Sequence, residues 1–553
     1  MTRQTTRGQI RTTQRGRHRM SRDHSHRDSM TSGFLPDRHV TRRGAVTSIP
    51  PFVWLTTFTL LALALLGTLV LPQLRIPDEK HHADMVLMVQ EGDWLDNGWP
   101  GLDERRIDPS IIAASLSLGP RERALRENRA GQHPPLFYLT AAATSSLATF
   151  TMEDPDLAIR LWTYRLVSVI LTALLPVTYY LVASELTTNR WVRLSSAVLP
   201  LAIPGITLRD GAMINTDALL MFLTSISVLM AVRVAKGDLS LRTAVFLGLA
   251  TGLACLTKGH ALLVIPVLLV AYAIPASRRR RVTGQWLQSA LMSGGITLLL
   301  GGWWWARNLV LYGAIQPVRD LDPAGGPSAF VLVDWLTEAI SRLVASFWGG
   351  GFALGGRPYL PLFVLLALIF IVACVAGWVR SPDRAASSVS GLYALILVVS
   401  VLLASASLSS ERGRVVGVQG RYFFPGLSGL APLVALAATA FVRRANRWLP
   451  AFFVAGSLAM TLLSLNYMLD RYWDFMGTGL GDQWSAVVVS SPLGAAISIV
   501  VLLLNATFFV ALLVSSILMG MQHEERSTTH AADVPMAMVG SQKSETPHEP
   551  AAM

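Results

Sequence analysis

Long apolar blocks separated by short charged turns dominate this chain. Residues 52–71, 287–303, 360–379, 392–408 and 493–519 are each nearly free of charge. Apolar blocks of ~17–25 residues match a hydrocarbon layer about 30 Å thick. A segment crossing that layer must satisfy its backbone polar groups internally, so these blocks predict helices. The pattern as a whole predicts an all-α polytopic membrane protein with about twelve spans. They lie near 52–72, 163–184, 194–208, 218–232, 243–257, 261–276, 286–306, 359–379, 391–408, 424–442, 450–467 and 493–519. One further stretch, 136–150, is apolar but only about fifteen residues long.

Charge decides how to treat that stretch. If 136–150 does not span, five short loops fall on the side of the N-terminus. They hold Arg190 and Arg193; Arg233, Lys236 and Arg242; Arg278 to Arg281; Arg380 and Arg384; and Arg443, Arg444 and Arg447. If it does span, all fourteen of these cations face outward, against the bias of short loops. Residues 73–162 are therefore expected to form one long extracytoplasmic loop, with 136–150 as an interfacial helix. A second long outer loop is expected at 307–358, and smaller ones at 209–217, 409–423 and 468–492. Inner loops are short and basic, while outer loops are long and varied. Long ordered loops usually carry function, so chemistry is expected on the outer face.

Composition agrees: 52% of residues are hydrophobic and 15% charged, against about 25% charged in soluble domains. The net charge is +12. Residues 1–44 hold eleven Arg, no Lys and three Asp, among Ser, Thr, Gln and His with little to pack. Residues 1–50 read as a disordered basic cytoplasmic tail and 521–553 as a second, polar one, around a membrane domain at 51–520. Both termini are thus expected in the cytoplasm and the protein in the plasma membrane. The Arg-rich arm has a composition that can bind nucleic acid. A positive-inside anchor touching anionic lipid accounts for it fully, so no nucleic-acid partner is expected. The basic stretch is too long for a signal n-region, and 52–71 is long enough to span. Cys255 and Cys374 lie in apolar blocks and imply no disulfide framework.

The first outer loop opens with Ile76-Pro77-Asp78-Glu79-Lys80-His81-His82 and continues to Glu91-Gly92-Asp93-Trp94. A partly buried carboxylate beside lipid has a tunable proton affinity and can act as a general base. Asp78 and Glu79 are the candidates. The structural alternative is a helix start, with Pro77 at its head and acids favouring the dipole. His81 and His82 are possible metal ligands, although neighbouring residues on a helix point apart. Further on, Gly131-Gln132-His133-Pro134-Pro135-Leu136-Phe137-Tyr138 offers His133 as a substrate hydrogen-bonding group, or two prolines that merely start the interfacial helix.

Asp217, in Arg209-Asp210-Gly211-Ala212-Met213-Ile214-Asn215-Thr216-Asp217, is either an N-cap or a carboxylate facing the same cavity as Asp78. Lys258 in Lys258-Gly259-His260, and Arg307 after the tryptophans 303–305, are cations on the face the charge rule leaves poor in them; the tryptophans themselves read as an aromatic belt. The clearest exception is Glu411-Arg412-Gly413-Arg414 followed by Gln419-Gly420-Arg421-Tyr422-Phe423-Phe424-Pro425. Arg forks bind phosphate oxygens, and glycines let backbone approach a ligand. Arg412, Arg414, Arg421 and Tyr422 are therefore expected near a phosphate; headgroup contact and pairing with Glu411 are the plainer alternative.

In this order, the pieces resemble the GT-C superfamily of membrane glycosyltransferases, and especially the aminoarabinose lipid A transferases and protein O-mannosyltransferases. The resembling motifs are Pro77-Asp78-Glu79, Gly92-Asp93-Trp94, His133-Pro134-Pro135-Leu136-Phe137-Tyr138 and Asp217. Gln419-Gly420-Arg421-Tyr422 looks like a motif of a largely uncharacterised bacterial branch. The likeness covers about 52–310 well. One departure is Gln132, which stands where the lipid A transferases carry a Glu before their Lys-Pro segment. It leaves open whether a divalent metal takes part, and the sequence requires no cofactor. The resemblance implies an inverting transfer of sugar from a polyprenyl-phosphate donor to a hydroxyl of a cell-envelope acceptor. Asp78 would be the base, and Arg412, Arg414 and Arg421, with Lys258, would hold the phosphate.

A transporter or polysaccharide-assembly protein is the competing expectation. Transporters place polar groups at the midplane in broken helices, often with inverted repeats. Here the polar residues gather in outer loops and no repeat is evident. The two readings separate on geometry: Asp78, Asp217 and Arg421 share one substrate only if they lie within ~15 Å of one another.

Overall fold

The computed structural model describes residues 49–532, apart from 102–104, 117–126, 280–282, 318–330, 349–358, 413, 442–444, 475–476 and 478. The basic tail, Arg280, Arg281, Arg443 and Arg444, and the tail beyond 532 lie outside the described residues.

The chain is a helical, multi-pass membrane protein. Among the described residues the only β pairing is one isolated bridge, Arg106 to Glu127. Nine helices there are long and apolar enough to cross a membrane: Pro51–Val70, Leu157–Leu186, Asp217–Ala235, Gly259–Arg278, Leu360–Arg380, Arg384–Arg412, Gly420–Ala440, Asn446–Trp473 and Gly494–His523. Each coincides with an expected span. The other three expected spans fall on shorter or interrupted helices. Near 194–208, Arg190–Val198 gives way to the tight turn Leu199–Ala202 and then the wider turn Gly205–Asp210, because Pro200 and Pro204 each remove a backbone donor. Leu241–Cys255 has fifteen residues. Gly284–Thr297 runs through a wider turn at Leu298–Gly302 into Trp303–Tyr312.

Local chemistry explains the helix ends. Asp156 caps Leu157–Leu186 by accepting from the Ile159 N–H at 2.8 Å, and the helix bends at Leu174, next to Pro176. Ser240 and Thr283 cap the helices that follow them. Burial sorts the spans: Asp217–Ala235 is central, with 83% of its apolar window covered, while Leu360–Arg380 is 11% covered and presents Leu365, Leu368, Ile369 and Val372 outward, as a lipid-facing helix does.

The long first loop is folded rather than draped. It forms the helices Glu79–Gln90, Asp93–Asn97, Pro109–Leu116 and Leu136–Ala148. They share a second apolar core, in which Met85, Val86, Ile111, Phe137, Tyr138 and Trp304 are buried. Leu136–Ala148 has thirteen residues, about 20 Å of helix, which is too short to cross. The second long loop contains the amphipathic helix Leu332–Trp348. It exposes Leu332, Val333, Leu336 and Ile340 and buries Trp335, Ala339, Phe347 and Trp348. At the C-terminus, Gly494–Ala532 remains helical past the expected boundary at 520.

Candidate functional site

Four chain segments far apart in sequence meet at helix ends. Asp78 follows the end of Pro51–Val70, Asp217 opens Asp217–Ala235, Lys258 follows Leu241–Cys255, and Arg421 sits in the turn Gly420–Gly426. These are four helix ends that the charge pattern expected on one face, and here they touch.

Asp78 has φ +72°, a left-handed conformation uncommon outside glycine. It precedes Glu79–Gln90, yet its side chain makes no capping bond. The carboxylate instead accepts from Arg421 Nη2 at 2.7 Å, across 343 residues of chain. Its side chain is 47% exposed, and Arg421's is 6% exposed. Burial alone would raise the proton affinity of Asp78, but the adjoining Arg421 guanidinium overrides it and holds the carboxyl well below the usual carboxylate range.

Asp217 is not the N-cap either. Thr216 holds that position, and Asn215 Oδ1 accepts from the backbone N–H groups of Asp217 and Ala218. This leaves the Asp217 carboxylate free to accept from Lys258 Nζ, with its other oxygen 3.9 Å from Arg421 Nε. That Nε is buried and donates to no group among the described residues. Tyr422 lies under both cations, its ring centre 5.6 Å from Lys258 Nζ and 5.6 Å from the Arg421 guanidinium, and it stacks on His260 at 5.1 Å. Beside them, Asp210 pairs with Arg209 at 3.0 Å.

Histidines and aromatics form one wall. His82 stacks on His133 at 5.6 Å and shares a 2.8 Å hydrogen bond between its Nδ1 and Tyr138 Oη. Burial pushes His82 down to about 3 and His81 down to about 4, and also holds His133 well below its ordinary value, so all three are neutral at pH 7. His81 turns away from His82 and accepts at Nδ1 from the Arg129 N–H at 3.3 Å. No group of three or more His, Cys, Asp or Glu among the described residues is arranged to hold a metal ion.

Not every expected site residue joins this set. Glu79 is fully buried and saturated. Its Oε1 accepts from Arg165 Nε (2.8 Å) and the Ile214 N–H (3.1 Å), and its Oε2 from Arg165 Nη2 (2.9 Å) and the Leu74 N–H (2.9 Å). Arg307 donates to the Trp99 carbonyl at 3.4 Å and lies over Trp304, next to the wall rather than at the carboxylates. Arg412 ends the helix Arg384–Arg412 and Arg414 is exposed; neither bonds to Asp78, Asp217 or Lys258. Gly420 serves protein packing rather than a ligand: a Cβ there would stand 2.3 Å from the Phe347 backbone N. Its own N–H donates to Ser346 Oγ at 2.7 Å, tying the Arg421 turn to the amphipathic helix.

Sequence reasoning did not single out Arg165, Asp84 or Arg105. Arg105 bonds Asp84 at 2.7 Å and Asp93 at 2.9 Å, which places the Gly92-Asp93-Trp94 motif in a structural clamp. The available signal was charge inside apolar surroundings. Arg165 interrupts a span, where an ionised group is costly unless paired.

Among solved structures, the chain is similar to ArnT from Cupriavidus metallidurans bound to undecaprenyl phosphate, at 16% identity and a TM-score of 0.42 over 87% of this chain and 80% of that one. It is also similar to the Archaeoglobus fulgidus oligosaccharyltransferase in complex with zinc and sulfate, at 11% identity and 0.39, over 79% of this chain and 58% of that one. No curated protein sequence matches it. A family description matches residues 114–430, more than half of the chain, and the chain therefore belongs to the family of predicted membrane proteins DUF2142.

Proposed function

We propose that this chain is an inverting membrane glycosyltransferase of the GT-C kind. It moves a sugar from a polyprenyl-phosphate carrier in the bilayer to a hydroxyl of an envelope acceptor on the extracytoplasmic face. The observation that carries the reading is the pairing of a half-exposed, ionised Asp78 with the buried Arg421, beside a buried Lys258–Asp217 pair, at a meeting point of helix ends. A base must be open to its substrate, while groups that stabilise charge act best where water is excluded.

In this reading Asp78 takes the proton of the acceptor hydroxyl. The hydroxyl oxygen bonds to the anomeric carbon as that carbon's bond to the phosphate oxygen breaks. A single displacement inverts the centre. Arg421 and Lys258 stabilise the charge that grows on the leaving phosphate. Tyr422 fixes the two cations over its ring, and neutral His82 and His133 offer hydrogen-bonding nitrogens without adding charge. Glu79 is a positioning residue: through Arg165 it fixes the turn in which Asp78 stands.

The test supplies membranes bearing the chain with defined polyprenyl-phosphate sugars and an envelope acceptor fraction. Transfer with an inverted anomeric configuration is expected for at least one donor. A retained configuration, or no transfer from any donor, contradicts the reading.

A further inference from the structure

The pairing that keeps Asp78 ionised also makes it a poor base. A carboxylate bound to a guanidinium has little affinity for an incoming proton. The proposed reaction therefore needs the pair to open at the right moment, and the geometry shows how lightly it is closed. Among the described residues a single hydrogen bond, from Arg421 Nη2, holds the Asp78 carboxylate. The Asp78 carbonyl accepts from the His81 and His82 N–H groups, but its side chain caps no helix, so the carboxylate itself has no second hydrogen bond among the described residues. Arg421 in turn has unused capacity, because its buried Nε donates to no group among the described residues. The aromatic face of Tyr422 supports the guanidinium whether or not Asp78 is its partner.

Charge balance supplies the trigger. Asp78, Asp210 and Asp217 face Arg209, Lys258 and Arg421, so the cluster is neutral. A lipid-linked sugar phosphate is a diester with one negative charge. Bringing it into a neutral, largely buried cluster is unfavourable unless a cation turns to it. Lys258 is held by Asp217 inside the protein, whereas Arg421 holds a carboxylate that water reaches.

We infer that Arg421 is exchanged between two anions: it pairs with Asp78 in the resting protein and passes to the donor's phosphate on binding, which frees Asp78 to act as base only when a leaving group is present. This rests on the glycosyltransferase reading above. The exchange keeps charge in step with the chemistry. The acceptor O–H bond breaks and its proton goes to Asp78, which loses its negative charge. The oxygen–carbon bond forms, and the pair from the carbon–oxygen bond to phosphate stays on the phosphate, which gains one negative charge. Arg421 thus ends beside the group that has become more anionic. In the absence of donor the base stays occupied, which guards against proton abstraction from water.

The test is a double-mutant cycle on binding of polyprenyl monophosphate to the purified full chain. Asp78→Asn removes the resting partner of Arg421 and is expected to tighten binding about tenfold in the otherwise native chain. In an Arg421→Gln background the same change is expected to tighten it less than about threefold. Equal tightening in both backgrounds means that Asp78 merely repels phosphate, and overturns the exchange. If Arg421→Gln does not fold, Arg421→Met takes its place and equally removes the cation; there an undiminished tightening equally overturns the exchange. Absence of polyprenyl phosphate binding by every form would instead overturn the glycosyltransferase reading itself.

Discussion

The pair of Glu79 and Arg165 gives the sharpest stability prediction. Both side chains have zero exposure. Glu79 accepts four hydrogen bonds, two at each oxygen. Glu79→Gln keeps the shape but turns one oxygen into an NH2 group. Whichever oxygen is replaced, the new donor faces two N–H groups, so two bonds are lost. The Arg165 charge is left without its counter-ion. Bonds to charged groups contribute about 1.5–3 kcal/mol each, and breaking a buried pair costs about 3–5 kcal/mol. A loss of about 3–5 kcal/mol is therefore expected. Thermal or denaturant unfolding in micelles reads it, with oligomeric state monitored. The double variant Glu79→Met, Arg165→Met should lose less than the sum of the singles, since it leaves no unpaired charge. Some loss remains, because Arg165 also donates to the carbonyls of Thr68, Leu71 and Pro72. A Glu79→Gln chain within about 1 kcal/mol of the native one would refute the idea that this pair fastens the Asp78 turn.

Three further outcomes follow from the same geometry. Gly420→Ala forces a methyl against the Phe347 backbone N and should cost about 1–3 kcal/mol, with a raised donor KM as Arg421 shifts, read by unfolding and by donor titration. Lys258→Met leaves Asp217 to compete for Arg421 and should weaken donor binding about tenfold or more, measured by direct titration. His81 and His82 are neutral in the folded protein, with values pushed down to about 4 and about 3, while the unfolded chain takes up protons near 6.5. Between those values the unfolded state binds more protons, so stability should fall as pH drops from about 6.5 toward 4 and change little from these groups above 7. Unfolding midpoints across that range check it, and a flat profile in the native chain contradicts it.

How much of this was legible in the sequence depended on how local each signal was. The Pro51–Val70 helix was readable because uniform apolarity over a membrane's thickness has no other stable use. The short helix at 136–148 was readable only through charge elsewhere, since its own composition fits either role. The break at 199–210 was written in Pro200 and Pro204, but apolar residues around them masked it. The site was half legible. Asp78, Asp217, Lys258 and Arg421 stood out as charge at the mouths of apolar helices, and they converge. Their partners did not stand out. Glu79 and Arg165 are 86 residues apart, and Asp78 and Arg421 343 apart, so only the packed fold brings them together. Arg412 and Arg414 looked equivalent to Arg421 by residue type, and burial separates them.

The central claim is that the Asp78 carboxylate takes the acceptor's proton. Its most direct test is the transfer rate of Asp78→Asn with a polyprenyl-phosphate sugar at saturating donor, alongside donor binding by the same preparation. The account predicts a rate lower by about a hundredfold or more, with donor binding retained. Transfer within about twofold of the native chain, with donor bound, would contradict it.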